Sequence, residues 1–94
     1  MTIFNVILTK QAKRDLLNVP RHIVKKIQAW IDNIEYDGLY EVRKISGYHD
    51  ELLKGKRLGQ RSIRLSKAYR AIYSIDQDYK IEVVKVLEVN KHDY

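Results

Sequence analysis

The sequence predicts a single α+β domain in which two helices pack on one face of a sheet. Three observations support this fold class: helical patterns come early in the chain, strand patterns come late, and short turn signals separate the late strands. The 94 residues are enough for one modest hydrophobic core and too few for two. We therefore expect one domain over residues 1–94, with an N-terminal strand, a two-helix hairpin and a three-stranded antiparallel meander in one mixed or antiparallel sheet.

The N-terminal residues predict the first strand and the first helix. Residues 2–8 are apolar on both faces, which is typical of a strand in the interior of a sheet. Thr9 can then act as the N-cap of a short amphipathic helix over residues 10–18. The apolar face of this helix is formed by Ala12, Leu16 and Leu17.

A second, longer helix is predicted between Pro20 and Gly38. Proline suits the first turn of a helix because its missing N–H would have no partner there, and a glycine after the helix can adopt a positive φ. A buried stripe with helical spacing is formed by Ile23, Ile27, Trp30, Ile31 and Ile34. Trp30 is therefore expected in the core.

The second half of the chain predicts the other three strands. Residues 39–50 have no clear periodicity, and Gly47, Tyr48 and His49 suggest a loop or a short turn that leads into the basic stretch. The strands are predicted over residues 61–65, 69–75 and 79–89. Residues 66–68 and 76–78 are predicted turns, and residues 90–94 a short polar tail.

The most charged stretch, residues 51–70, carries seven cations and one acid, Glu51. The cations are Lys54, Lys56, Arg57, Arg61, Arg64, Lys67 and Arg70. In the strand predicted there, Ile63 and Leu65 lie on an apolar face and Arg64 on the other. Such a strand suits a polyanion lying across the sheet, although a solvated basic loop with ordinary surface arginines would give the same charge pattern.

Composition excludes several classes of protein. The chain has no cysteine, which excludes disulfide scaffolds, thiolate metal sites and cysteine nucleophiles and fits a reducing cytoplasm. Apolar runs are far shorter than the ~20 residues of a membrane span. The net charge of +6 favours a nucleic acid or an acidic protein as partner. His22, His49 and His92 lack the spacing of metal ligands, so we expect no metal and no other cofactor.

Three segments of the chain have a recognisable order and spacing. They are the helix HIVKKIQAWIDNI, the run ELLKGKRLGQRSIRLSKAYRAIY and the closing NKHDY. Together they resemble the RelE/ParE toxin superfamily of bacterial type II toxin–antitoxin pairs, whose core pattern reads E-x-L-x-G…R-x-I-R-L…Y-R-x-x-Y. The resemblance implies a compact toxin neutralised by an antitoxin that wraps it. RelE-like members cut mRNA, usually in the ribosomal A site, whereas ParE-like members inhibit DNA gyrase.

The resemblance also implies roles for individual residues. Arg70 matches the arginine that nuclease members place against the scissile phosphate, a role suited to a permanently charged planar fork. His92 and Tyr94 match a histidine–tyrosine ending, in which the imidazole transfers protons and the phenol stacks on a base or donates a proton. Glu51 matches a glutamate that acts as general base in some members, and His49 is the alternative base.

Strand parity and charge extend this candidate site. Arg64 is expected on the same face as Arg70 and is the second candidate phosphate ligand, whereas Arg61 has the opposite parity and is expected to flank the site. General, salt-dependent contacts to the RNA backbone are expected from Lys54, Lys56, Arg57, Arg61 and Lys67.

Three functions are compatible with these residues. The leading hypothesis is a metal-independent endoribonuclease that cleaves ribosome-bound mRNA and inhibits translation. The alternatives are a ParE-like gyrase inhibitor without nuclease activity and an inactive relative that titrates an antitoxin. The expected partners are a cognate antitoxin, mRNA and the 70S ribosome, with operator DNA bound only through the antitoxin complex. We expect a cytoplasmic protein without a membrane partner.

Overall fold

The computed structural model of the protein describes residues 3–78 and 81–91. Thr2, Tyr79 and the end of the predicted tail, including His92 and Tyr94, lie outside the described residues. The helices are α1 (Lys10–Leu16), α2 (Arg21–Asp37) and α3 (Leu39–Arg43), and the strands are β1 (Ile3–Leu8), β2 (Glu51–Leu52), β3 (Arg61–Arg64), β4 (Tyr69–Asp78) and β5 (Ile81–Lys91). Two short 3₁₀ turns, Ser46–Tyr48 and Gly55–Arg57, flank β2.

The strands form one five-stranded mixed sheet in the order β1-β5-β4-β3-β2. β1 runs parallel to β5, and the other neighbouring strands are antiparallel. The predicted α+β class, with an N-terminal strand, helices and then an antiparallel meander, is confirmed. None of the helices in the described part of the chain is long and apolar enough to cross a membrane.

β1 lies at an edge of the sheet, so the prediction of an interior position is wrong. Phe4, Val6 and Leu8 are half-buried and pack against the core, whereas Asn5 and Ile7 are exposed. From Phe4 to Leu8 the edge strand thus buries alternate residues only. The apolar but exposed Ile7 is the reason why the sequence suggested burial on both faces. A single exposed isoleucine is common at a protein surface.

The cap of α1 agrees with the prediction. The Thr9 hydroxyl accepts a hydrogen bond from the backbone N–H of Ala12 at 3.1 Å and donates to the carbonyl of Leu87 at 2.8 Å. The helix therefore begins where β1 ends and is attached to β5 by its cap. The helix ends earlier than predicted, so that Leu17 is its C-cap residue and is 84% exposed; the prediction that Leu17 belongs to the apolar face is wrong.

The longer helix, α2, supplies most of the core that covers the sheet. Its predicted stripe is confirmed, because Ile23, Ile27, Trp30 and Ile34 are buried and Ile31 packs against them. The ring of Trp30 also lies 5.1 Å from that of a β4 tyrosine, centroid to centroid, which joins the helix to the middle of the sheet. Pro20 is the N-cap residue, and the helix ends at a glycine as predicted.

Residues 39–50 contain more structure than the predicted loop. α3 and the 3₁₀ turn Ser46–Tyr48 both lie here, and they bury Leu39, Val42 and Tyr48. Elements of five and three residues are too short for a hydrophobic repeat to appear in the sequence. The short turn predicted around Gly47, Tyr48 and His49 is therefore present, whereas the helix α3 was not predicted.

The last two strands are longer than predicted. β4 continues through the predicted turn at residues 76–78, and β5 includes Asn90 and Lys91, which were assigned to the tail. The pairing of β4 with β5 shifts between Ile72 and Tyr73, whose partners are Glu88 and Val86. Leu87 is thus the extra residue of a β-bulge, which changes the face of every later β5 side chain.

The register separates the sheet into a core face and a polar face. Residues directly opposite each other on neighbouring strands share a face. Ile63, Ala71 and Val89 form one such row and pack in the core with the helices. The opposite surface, here called the polar face, carries Glu51, Ser62, Arg64, Arg70, Glu88 and Asn90, together with the buried Ile72.

Substitution of Gly38 by alanine is expected to destabilise the fold. Gly38 joins α2 to α3 at φ +86°, and an added Cβ would lie 2.9 Å from the ring of Phe4. We expect the free energy of unfolding to fall by about 1–3 kcal/mol, measured by urea denaturation. Gly47→Ala is the matched control, because no atom lies within 4 Å of its Cβ position and a change below about 0.5 kcal/mol is expected. Equal effects of the two substitutions would contradict this account.

Candidate active site

Two adjacent rows of the polar face contain three of the candidate catalytic residues, Glu51, Arg64 and Arg70. In one row Arg64 of β3 lies opposite Arg70 of β4, which in turn lies opposite Asn90 of β5. The next row begins with Glu51 of β2 and ends with Glu88 of β5. Alternate residues on a strand are about 7 Å apart, so the two rows are adjacent on this face of the sheet.

A cleft at the β2 end of these rows brings four predicted residues together. It is lined by His49, Glu51, Ser62, Ile63, Arg64, Ser66, Tyr69 and Arg70. Both candidate bases and both candidate phosphate ligands therefore lie on one cleft, although they are up to 21 residues apart in the chain, from position 49 to position 70. Whether each acts in catalysis stays a prediction.

The pairing of Arg64 with Arg70 is unfavourable for the fold alone. Like charges directly opposite each other on neighbouring strands destabilise a sheet. Two planar guanidiniums side by side are, however, well suited to hold the oxygens of a phosphate group. Phosphate binding by this pair stays a prediction.

A buried carboxylate holds the segment that carries the two candidate bases. Asp50 is 1% exposed and lies between His49 and Glu51. Its Oδ1 accepts a hydrogen bond from Nε of Arg61 at 2.6 Å, and its Oδ2 accepts one from the hydroxyl of Tyr73 at 2.5 Å. The Asp50 carboxylate therefore attaches this segment to β3 and β4 by side-chain contacts.

These contacts change the acidity of both partners. Burial raises the pKa of Tyr73 well above its ordinary value of 10.0, and the hydrogen bond and negative charge of Asp50 raise it further. Burial opposes the charged form of Arg61, but the hydrogen bond and charge of Asp50 outweigh it, so the pKa of Arg61 is raised. The neutral phenol and the charged guanidinium are thus the stable forms beside this carboxylate.

His49 has the one positive φ among the non-glycine residues that the structure describes. Its backbone adopts the left-handed conformation, with φ 48° and ψ 48°. This conformation is unfavourable for a residue with a Cβ, and such residues cluster at functional sites. It ends the 3₁₀ turn Ser46–Tyr48 and directs the chain into β2 beside the cleft.

Asn90 and Glu88, which the sequence did not identify as site residues, are connected to Arg70 by hydrogen bonds. Asn90 Oδ1 accepts a hydrogen bond from Nε of Arg70 at 3.3 Å, and Asn90 Nδ2 donates to Glu88 Oε1 at 2.7 Å. Arg57 Nη2 donates to the same oxygen at 2.7 Å. The sequence placed Asn90 in the polar tail, and it contains no signal for the bulge that puts Asn90 on the polar face.

The cations predicted to contact RNA are in different environments. Lys54 and Lys56 are exposed on the loop between β2 and β3, and Lys67 is exposed in the turn between β3 and β4. Arg57 is ion-paired with Glu88, and Arg61 is ion-paired with a buried aspartate on the core side of β3. The parity predicted for Arg61 is correct, and the RNA contacts of all five cations stay predictions. His92 and Tyr94 lie outside the described residues.

The fold is similar to that of several solved toxin structures. The chain superposes on the YoeB/ParE toxin from Agrobacterium tumefaciens with a TM-score of 0.72 and 20% identity, covering 95% of this chain and 99% of the other. For the DinJ-YafQ toxin-antitoxin complex of E. coli, the TM-score is 0.71 and the identity 14%, with coverages of 94% and 91%. For the RelBE2 toxin-antitoxin complex of Mycobacterium tuberculosis, the values are 0.60 and 24%, with coverages of 97% and 100%.

These similarities confirm the predicted resemblance at the level of the fold. Each identity is below 25%, and at this level a structural match reports the fold and leaves the activity to be argued from the site. Neither the models of known protein families nor the sequences of curated proteins match this chain.

Removal of the buried carboxylate is expected to destabilise the protein strongly. Asp50→Ala removes the acceptor of the half-buried Arg61 guanidinium and of the buried Tyr73 hydroxyl. Loss of one partner from such a pair lowers the free energy of unfolding by about 3–5 kcal/mol. Asp76→Ala is the control: this carboxylate pairs with Lys85 at the surface and is 56% exposed, so a loss of about 0–1 kcal/mol is expected. Comparable losses of the free energy of unfolding in the two variants, measured by urea denaturation, would contradict the stabilising role assigned to the Asp50 carboxylate.

The raised pKa of Tyr73 predicts a loss of stability at alkaline pH. Above pH 10.0 the unfolded chain releases the phenolic proton while the folded chain keeps it. The contribution of Tyr73 to the free energy of unfolding is therefore fully present below that pH and is lost as the pH rises. Denaturation at about pH 8, 10 and 11 should show this fall in the wild type and a smaller one in Tyr73→Phe. Tyr36→Phe, which removes a hydroxyl from an exposed ring, is the matched control. Parallel pH curves for wild type and Tyr73→Phe would contradict the assignment.

Proposed function

We propose that the protein is the toxin of a type II toxin–antitoxin system and that it cleaves mRNA as an endoribonuclease. The observation that carries this proposal is the cross-strand pair of Arg64 and Arg70 in one cleft with Glu51 and His49. Cleavage of a phosphodiester requires a base and positive charge around the phosphate, and the cleft contains both. The fold shared with the RelBE2 and DinJ-YafQ complexes supports the toxin role by analogy.

The proposed reaction transfers the phosphate from the 5′ oxygen to the neighbouring 2′ oxygen. Glu51 or His49 removes the proton of the 2′-OH, the bond from the 2′ oxygen to phosphorus forms, and the bond to the 5′ oxygen breaks. Arg64 and Arg70 stabilise the charge that builds on the phosphate oxygens. His92 returns a proton to the leaving oxygen. The products are a 2′,3′-cyclic phosphate and a 5′-hydroxyl, and the reaction uses side chains without a metal ion.

Binding of the substrate is assigned to the residues around this cleft. Lys54 and Lys56 lie on an exposed loop beside the polar face, where they add salt-dependent affinity for an RNA backbone. Tyr94 is proposed to stack on the base held in the site. Because the net charge is +6, the same surface suits ribosome-bound mRNA, which is surrounded by ribosomal RNA phosphates.

The proposed partner is an antitoxin with an amphipathic and locally acidic segment. Such a segment would neutralise the Arg64–Arg70 pair and cover the cleft or displace the C-terminal tail. We propose that operator DNA is bound only by the toxin–antitoxin complex, chiefly through the antitoxin. The site of action is the cytoplasm, where translated mRNA is found.

The activity can be tested with antitoxin-free protein in a translating extract, with primer extension on an abundant mRNA. The wild type should produce discrete cuts, and Arg70→Ala should lower the cleavage rate about 100-fold or more because charge stabilisation of the transition state is lost. Glu51→Gln and His49→Gln, compared side by side, identify the base as the residue whose substitution abolishes cleavage. Loss of cleavage in His92→Ala would assign the acid.

Arg21→Ala is the matched control, because Arg21 is an exposed arginine at the start of α2. This variant should cleave like the wild type. Intact mRNA with the wild-type protein would refute the nuclease proposal. Growth arrest in a bacterial host with intact mRNA, combined with inhibition of supercoiling by purified protein, would support a gyrase inhibitor instead.

A further inference from the structure

A chain of hydrogen bonds crosses the polar face from the basic loop to Arg70. Arg57 Nη2 donates to Glu88 Oε1 at 2.7 Å, and the same oxygen accepts from Asn90 Nδ2 at 2.7 Å. Asn90 Oδ1 accepts from Nε of Arg70 at 3.3 Å. The chain thus joins the loop between β2 and β3, two alternate positions of β5 and the candidate phosphate ligand on β4.

The two ends of this chain determine how the amide of Asn90 is turned. A carboxylate only accepts hydrogen bonds, and a guanidinium only donates them. The amide must therefore direct its NH₂ group toward Glu88 and its oxygen toward Arg70. In the reversed orientation, two acceptors would face each other on one side and two donors on the other. The charge of Glu88 consequently holds an acceptor against Arg70.

The contact with Asn90 also leaves the working end of Arg70 accessible. It uses the Nε–H group, while the two Nη groups form the fork that can grip phosphate oxygens. Arg64 lies directly opposite and repels Arg70, so an unrestrained Arg70 side chain would move away from the shared site. The hydrogen bond to Asn90 opposes this movement and reduces the rotamer freedom of Arg70.

The ion pair at the other end orders the carboxylate. Arg57 and Glu88 have side chains that are 41% and 24% exposed, and Arg57 is itself held by a hydrogen bond to Gln60 at 2.8 Å. The pair is partly sheltered, so its contribution is greater than that of a fully exposed pair. Because the guanidinium of Arg57 is paired with Glu88, its positive charge offsets the negative charge of this carboxylate on the polar face.

We infer that Asn90, Glu88 and Arg57 are positioning residues for Arg70, and that Arg57 acts on the reaction through Glu88 instead of contacting RNA. This inference rests on the proposed function, since it concerns the residue assigned to the phosphate. It also divides the basic loop into two parts: Lys54 and Lys56 bind the RNA backbone, whereas Arg57 orders the site.

The inference is tested by single-turnover cleavage of a defined mRNA on stalled ribosomes, with the toxin in excess over a range of concentrations. Asn90→Ala, Glu88→Gln and Arg57→Ala should each lower the maximal rate about 10- to 100-fold, because Arg70 is misplaced. The half-saturating toxin concentration should stay within about two-fold of the wild type. The double variant of Arg57→Ala and Glu88→Gln should be no slower than the slower single variant, because both act through one contact.

Two control variants separate positioning from RNA binding. Glu35→Gln makes the same change of charge on an exposed position of α2 and should keep the wild-type rate. Lys56→Ala should raise the half-saturating concentration and weaken its salt dependence. If Arg57→Ala behaves like Lys56→Ala and its effect adds to that of Glu88→Gln, Arg57 is an RNA contact and the inference is wrong.

A second measurement tests the network without cleavage. The NMR signal of the Arg70 Nε–H group, assigned through Arg70→Lys, should shift and exchange faster with water in Asn90→Ala and in Glu88→Gln. If the wild-type protein leaves mRNA intact while the two variants show these NMR changes, the proposed function is refuted and the hydrogen-bond network is retained. An Arg70 signal that is unchanged in both variants would overturn the inference even if the wild type cleaves RNA.

Discussion

The buried carboxylate of Asp50 is the interaction on which the candidate site depends. β2 pairs with β3 over two residues only, so the main chain gives this end of the sheet little support. The carboxylate supplies the missing attachment through Arg61 and Tyr73, at 2.6 and 2.5 Å. Since His49 and Glu51 are its chain neighbours, both candidate bases take their position from it. A buried ion pair adds little net stability, but its geometry is demanding, and here that geometry orients a site.

On the polar face, by contrast, two like charges lie opposite each other, and this arrangement destabilises the fold. Arg64 lies opposite Arg70, and each would be more stable opposite an acid. Such local conflicts are expected where function constrains a sequence. A ligand that brings negative charge to this pair stabilises the folded state by mass action as well as occupying the site. The proposed antitoxin segment and the phosphate of the proposed RNA substrate would compete for this pair of arginines.

The sequence predicted those features that local patterns encode. The stripe of α2, the cap at Thr9 and the common face of Arg64 and Arg70 follow from periods of 3.6 and 2 residues and from capping chemistry. The edge position of β1 could not be predicted, since it depends on which strands pair. Nor could the neighbours of Arg70: with regular alternation, Glu88 and Asn90 would share the core face with Val86, and the bulge at Leu87 reverses this.

The site therefore combines contacts of two kinds that respond differently to solution conditions. The Asp50 contacts are buried and are screened little by salt, so the position of the candidate bases should persist over a wide range of ionic strength. The Arg57–Glu88 pair is partly exposed and weakens as salt increases. For the proposed nuclease, high salt should consequently reduce activity in two ways, by weakening the proposed RNA binding and by loosening the inferred restraint on Arg70. Only the first is recovered by adding more substrate, so a fall in the maximal rate with salt is a property of the network and not of binding.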